Sequence, residues 1–290
     1  MVVVLLIAEA GSYILHSFFK EVPMLLLSQS FRFFLIVVTV PIILFGAPPY
    51  MWYATYSIED YDANGDCGRE NLWAAHDDAD GFSSAVQQYN FPNTWYRYNR
   101  RDTQCTAARW SGADAEINNV DFLFYAGHGC STGPVLGCNS GYPITCWNDI
   151  SFGGNGFLKW VQGACCSWFT PQEYDNCNSN MDPIPRWWPC FKGVHSVMGH
   201  RATTWDHEYS DEMTLEFWKQ WYEYSMPIFW AWRQSQVKWV YMESGLPGVE
   251  PAIAAANDDY RMEYFSNAQD TPAPDGLGSL TWSTVGTPLY

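Results

Sequence analysis

The spacing of apolar and polar residues divides the chain into alternating extended and helical stretches from Met51 onward. Residues 51–58, "MWYATYSI", are aromatic and β-branched and predict a strand. An Asp-rich loop follows. Residues 77–90 then carry apolar side chains at Phe82, Ala85, Val86 and Tyr89 behind a leading Asp, which predicts a capped helix. Further strands are predicted over 94–99, 120–126, 157–166 and 193–200. Helices follow over 210–224, with a Met213/Phe217/Trp221 stripe, and over 227–242, with Pro at the first position. After Gly245 the chain is rich in Pro, Gly, Ala and Asp, and 279–285 is a candidate last edge strand. Strands alternating with helices predict an α/β fold: a mostly parallel sheet flanked by helices in one domain. The expected divisions are an N-terminal segment 1–47, a body 48–244 and a C-terminal extension 245–290.

Composition narrows the partners. Asp and Glu number 31 against 15 Lys and Arg, a formal charge of -16. Nucleic acid and anionic membrane surfaces both need basic patches, so neither is expected as a partner. Sixteen tryptophans imply a large aromatic core, and the ring-rich stretch 217–232 reads as helix faces covering the sheet. A carbohydrate-binding or assembly surface is the alternative for that stretch. The nine cysteines have no paired CxxC spacing that would suggest structural zinc. Eight paired and one free is the simple account in an oxidising compartment.

That compartment is suggested by the N-terminus. Residues 33–45, "FFLIVVTVPIILF", follow Arg32, precede Gly46-Ala47, and are short for a membrane span. They read as the apolar region of a signal peptide starting at Met24, which makes residues 1–23 an over-extended start. The competing reading is an uncleaved anchor. In both, the body lies outside the cytoplasm, secreted or membrane-anchored, and touches a membrane only through an uncleaved N-terminus.

The chemistry sits where two predicted strands end. "VDFLFYAGHG" runs an apolar strand into His128, held between Gly127 and Gly129. "FLKWVQGACC" runs another into Cys165. If the two strands are neighbours, His128 and Cys165 emerge on the same sheet edge, where open α/β sheets bind ligands. A thiol beside an imidazole can pass its proton to the ring, and the thiolate is a nucleophile. Backbone N–H groups of Gly129 and Cys165 then form an oxyanion hole for acyl transfer.

"FLFYAGHG" and "WVQGACCS", in that order and 37 residues apart from His128 to Cys165, resemble the hydrophobic-block His-Gly and Ala-Cys motifs of the cysteine-peptidase clan of caspases, legumain, gingipains, separase and CHAT domains. The resemblance extends at the level of pattern over residues 51–242. It implies a caspase-like sheet and an endopeptidase acting on a peptide or protein substrate with a Cys–His dyad and no required cofactor. It favours Cys165, which follows Ala164, over the adjoining Cys166. A catalytically silent, disulfide-stabilised scaffold of the same fold for binding or assembly at the cell surface is the alternative.

Arg201, Trp205 and Asp206 follow the fifth strand as candidate pocket residues. Asp60, Asp62, Asn64 and Asp66 space oxygen ligands two apart around Gly65, as a calcium loop does. Asn71 stands where such a loop needs Glu, and a strand precedes it, so a solvated acidic turn is the plainer account. His195, His200 and His207 are a minor metal hypothesis, since the first two are five apart on a strand and point to opposite faces.

Overall fold

The computed structural model describes residues 51–63, 69–89, 94–136, 149–171, 182–202, 204, 210–239, 249–265 and 271–283. The expected leader 1–47, its over-extended start 1–23, Asn64, Asp66, Trp205, Asp206 and His207 lie outside these residues. Among the described residues no helix is long and apolar enough to cross a membrane.

Seven strands form one sheet: β1 (Met51–Ser57), β2 (Thr94–Arg101), β3 (Phe122–Ala126), β6 (Trp160–Ala164), β7 (Ser196–His200), β8 (Pro251–Ala255) and β9 (Ser279–Trp282). The two-residue strands β4 (Gly129–Cys130) and β5 (Gly133–Pro134) form a small hairpin after β3. The sheet order is β2-β1-β3-β6-β7-β8-β9. The first five strands are parallel, and β8 and β9 are antiparallel to their neighbours. The fold is therefore an α/β single domain with a mostly parallel, mixed seven-stranded sheet, in agreement with the class read from the sequence.

The strands expected from unbroken apolar runs are central ones buried on both faces, which is why they lack clean alternation. All five residues of β3 are buried. One face packs under α1 (Ala75–Gln88), α3 (Ser210–Trp218) and α4 (Ile228–Gln236). There Phe82 stacks on Phe124 at 4.7 Å, and Phe217, Trp218 and Trp221 close over Phe122. The Met213/Phe217/Trp221 stripe is buried and covers the sheet, while Tyr224 and Trp230 of the same stretch are exposed. The other face buries Tyr56, Tyr61, Trp110, Tyr125, Trp168 and Trp187 with α2 (Pro183–Trp187).

Two expectations are corrected. Helix α1 begins at Ala75, and its N-cap Ala74 makes no side-chain cap bond. Asp77 and Asp78 sit in the first turn instead, where the helix dipole favours negative charge. The candidate edge strand after Gly245 is β9, and a second strand that was not expected joins it: "PAIAA" forms β8, fully buried between β7 and β9. Its small residues give a weak strand signal, yet they let the sheet continue beneath α4 and α5 (Asp258–Arg261) without clash.

Candidate functional site

In this strand order the chain steps outward from β1 to β2 and then returns to β3 on the other side of β1. The reversal lies between β1 and β3, and the crevice beyond the carboxyl ends of such strands is where α/β sheets bind ligands. Three segments converge there: the loop after β1, the His128 turn after β3, and the Cys165-Cys166 turn after β6.

Strands β3 and β6 are paired neighbours, with Ala126 opposite Ala164. His128-Gly129 and Cys165-Cys166 therefore leave the sheet side by side. The fit is close: a Cβ on Gly129 would stand 2.5 Å from the Cys166 carbonyl oxygen, so only glycine allows this approach. A Cβ on Gly127 would meet the Tyr125 and Tyr61 hydroxyls at 2.6 and 2.9 Å. The second glycine is thus required by two tyrosines rather than by the ligand side. Beyond the cysteines, Ser167 adopts a left-handed φ of 59°, which turns the chain sharply back. Such backbone concentrates at functional turns.

His128 is oriented by the main chain. Its Nε2 lies 2.8 Å from the Glu70 carbonyl oxygen, which can only accept. Nε2 therefore carries a proton. Holding the ring is the role that an orienting carboxylate or carbonyl plays for any histidine base. No pattern in the sequence marks Glu70 for this task, because the acting atom belongs to the backbone.

The two thiols differ. Cys165 is 1% exposed, and burial pushes its thiol well above the usual cysteine range, with Cys166 and Cys130 adding in the same direction. Cys166 is partly exposed and donates to the Thr204 carbonyl at 3.1 Å. Burial raises it too, while the nearby Arg69 charge draws it back. The preference for Cys165 meets a physical obstacle: its side chain turns into the aromatic face, and Cys166 is the more exposed thiol of the pair. The physical reason is strand alternation, which sends Cys165 to the same side as Gly163 and Trp168.

His200, at the end of β7, faces the Cys165 carbonyl through Nδ1 at 3.0 Å and Gln236 through Nε2 at 3.0 Å. His195 lies at the opposite end of the strand, against Glu263 at 3.1 Å and the Thr271 carbonyl at 2.8 Å. The two do not meet, and among the described residues no His/Cys/Asp/Glu group could hold a metal. Arg201 pairs with Glu250 at 2.9 Å and stacks over Trp282 at 4.7 Å. Both contacts lie along β8 and β9, so this candidate pocket residue is engaged on that side of the sheet.

In the candidate calcium loop, the Asp60 carboxylate accepts the Ala63 N–H, and the Asp62 carboxylate accepts from the Asn71 amide. Asn71 also accepts the Tyr61 and Asp62 N–H groups. An amide thus closes the turn from the place where a calcium loop would carry Glu. Cys105, Cys165, Cys166 and Cys190 are free thiols. At most five cysteines remain for bridges, fewer than the eight expected.

A hydrogen-bonded chain ties the β1 loop to β2. Ser57 Oγ meets His76 Nδ1 at 2.9 Å, and His76 Nε2 meets Asp102 at 2.9 Å. Asp102 also accepts the Glu59 and Asp60 N–H groups at 2.9 and 3.0 Å. Ser57 is fully buried, so this Ser–His–Asp chain is a structural tie and not a nucleophile. Burial pushes the Asp102 carboxyl up, but the two N–H groups and His76 outweigh it and hold the group below the usual range. A lowered folded-state value stabilises the fold above the ordinary carboxylate pKa, and that stabilisation is lost as pH falls through the folded value. An Asp102→Asn variant should therefore be less stable than the parent at neutral pH. It should also lose less on acidification below about pH 4. Thermal unfolding midpoints measured across that range read both effects, and parallel curves for the two proteins would refute the tie.

The fold and this edge define an α/β protein whose sheet presents a carbonyl-oriented histidine beside a cysteine pair at its reversal point. The profile of the DUF6345 family, described as a domain of unknown function, matches residues 55–283, and the chain belongs to that family. No curated protein matches it.

Proposed function

We propose that the protein is an exported cysteine endopeptidase of caspase-like type, with Cys166 as nucleophile and His128 as its base. The observation that carries the reading is the His128 Nε2 contact to the Glu70 carbonyl at 2.8 Å, beside the cysteine turn. That contact fixes the tautomer of a ring carried on a turn whose next residue, Gly129, packs against the Cys166 main chain, and Cys166 is the partly exposed thiol of the pair. In the reaction His128 accepts the thiol proton and the thiolate attacks the scissile carbonyl. The backbone N–H of Gly129, with no side chain in the way, stabilises the oxyanion. His128 then returns the proton to the leaving amine, and water hydrolyses the thioester. The substrate is a peptide or protein, and the chemistry requires no cofactor.

The burial of Cys165 and the upward push on both thiols favour a second reading, in which the same fold is a silent scaffold that binds a partner. Thiol mapping separates the two. The native full-length chain is treated with iodoacetamide at acidic and neutral pH, and the labelled cysteines are located by mass spectrometry. Cys166 is expected to react while Cys165 stays silent. A His128→Ala variant should react about tenfold more slowly near neutral pH, the effect of roughly one pKa unit on the thiolate fraction. Labelling that is indifferent to His128, or no labelling at either position, would leave the scaffold. Labelling of Cys165 alone would move the nucleophile by one residue.

A further inference from the structure

His128 stands between two glycines, which leave the backbone on either side of it with unusual freedom. A base that must hold its ring within a fraction of an ångström needs some other restraint. Two buried hydroxyls supply it. The His128 N–H donates to Tyr61 Oη at 2.7 Å. The His128 carbonyl accepts from Tyr125 Oη at 2.8 Å and from the Val135 N–H at 2.9 Å.

The proton count closes. Tyr61 Oη accepts from His128 and uses its own proton on the Val135 carbonyl at 3.0 Å. Tyr125 Oη donates toward His128 and, at 3.0 Å, toward that same Val135 carbonyl. Both tyrosines are fully buried, and burial raises both hydroxyls, so each keeps the proton it donates. The Tyr61 ring also lies 4.8 Å from the imidazole at an angle of 53°. Tyr61 and Glu70 belong to one loop, closed by Asn71 and tied down by Asp102. A single segment thus grips the backbone, the ring face and Nε2 of His128.

We propose that Tyr61 is a positioning residue for His128: its hydroxyl fixes the His128 peptide so that the ring meets the Glu70 carbonyl through Nε2. The inference rests on the Cys–His reading, and it adds a residue that never touches the thiol or the substrate. Tyr125 supports the same peptide from its carbonyl side.

The test is a cycle of four full-length chains: the parent, Tyr61→Phe, His128→Ala and the double variant. Tyr61→Phe keeps the ring and its packing on His128 and removes one oxygen. The rate of Cys166 alkylation is followed against pH for each, well below the unfolding temperature. Tyr61→Phe should slow alkylation near neutral pH about fivefold, the worth of one hydrogen bond. It should change nothing once His128 is alanine, because it acts through that ring. Tyr125→Phe should act in the same direction, so the proposal does not depend on one variant folding.

If Tyr61→Phe leaves the rate untouched while His128→Ala slows it, the positioning role falls and the dyad stands. Equal slowing by Tyr61→Phe in both backgrounds overturns it as well, since that is a merely structural effect. If His128→Ala itself changes nothing, the dyad falls and the role of Tyr61 falls with it.

Discussion

Trp160→Ala is expected to cost about 3–5 kcal/mol of stability, the range for emptying a fully buried aromatic site. Trp160 starts the central strand β6 and is fully buried. Its ring lies 5.3 Å from Trp221, 5.7 Å from His195 and 6.1 Å from Phe122, so the cavity would open between the sheet and its covering helix. The indole also donates from Nε1 to Glu263 at 2.8 Å, and Glu263 is only 5% exposed. Removing the donor takes one of its bonds from a buried carboxylate, a cost beyond the lost packing. Trp160→Phe separates the two contributions: it keeps most of the volume and loses the N–H, and should fall well short of the alanine loss. Denaturant unfolding followed by tryptophan fluorescence and by circular dichroism measures both. An alanine variant within 1 kcal/mol of the parent, by the same bookkeeping, would mean that the helices do not bear on the sheet as described.

Asp121→Asn is expected to cost a comparable amount, about 3–5 kcal/mol, by taking one partner from a buried ion pair. The Lys159 ammonium contacts the Asp121 carboxylate with side chains only 5% and 12% exposed. The second Asp121 oxygen accepts the Trp52 N–H at 2.7 Å, and the Lys159 N–H donates to the Asp121 carbonyl at 2.9 Å. One residue therefore joins the amino ends of β1, β3 and β6. The amide can keep the bond to Trp52 but leaves the Lys159 charge without this carboxylate. The companion prediction is a partial recovery: Asp121→Asn combined with Lys159→Met should lose less than Asp121→Asn alone, since burying an ion costs more than burying its apolar isostere. A double variant less stable than the single one would show that the lysine contributes chiefly through other contacts.

Several features of the molecule are legible in the residue order, and others are not. The apolar runs at 51–58, 120–126, 157–166 and 193–200 each contain an observed strand of the sheet. Runs of that kind are buried by almost any packing, so local pattern suffices. β8 was expected as part of an extension, because "PAIAA" has little strand propensity by itself and is held by partners on both sides. The π-helical turn Lys219–Glu223 at the end of α3 lies inside the expected helix and has no separate signature.

The candidate site divides along the same line. His128 and the cysteine pair stand out from the sequence because glycines and strand ends mark them. Tyr61 was hidden as the one aromatic of an acidic loop, and Glu70 acts through its carbonyl, which every residue has. The choice between Cys165 and Cys166 needed three dimensions: neighbouring residues at a strand end point to opposite sides, and only the surrounding chain decides which side is packed. His200 reaches the Cys165 carbonyl from 35 residues along the chain, and Gln236, a further 36 residues on, holds the other side of the His200 ring.

By itself, then, the amino-acid order determined the class of fold and the two strand ends, at His128 and at Cys165-Cys166, that the sheet places side by side. These follow from hydrophobic burial and backbone geometry, which are local or periodic along the chain. The tertiary structure decided which thiol is the more exposed, which carbonyl meets the His128 ring and which hydroxyls hold its peptide. Those outcomes depend on desolvation and hydrogen-bond distances between segments far apart in sequence, and such quantities exist only once the chain has closed.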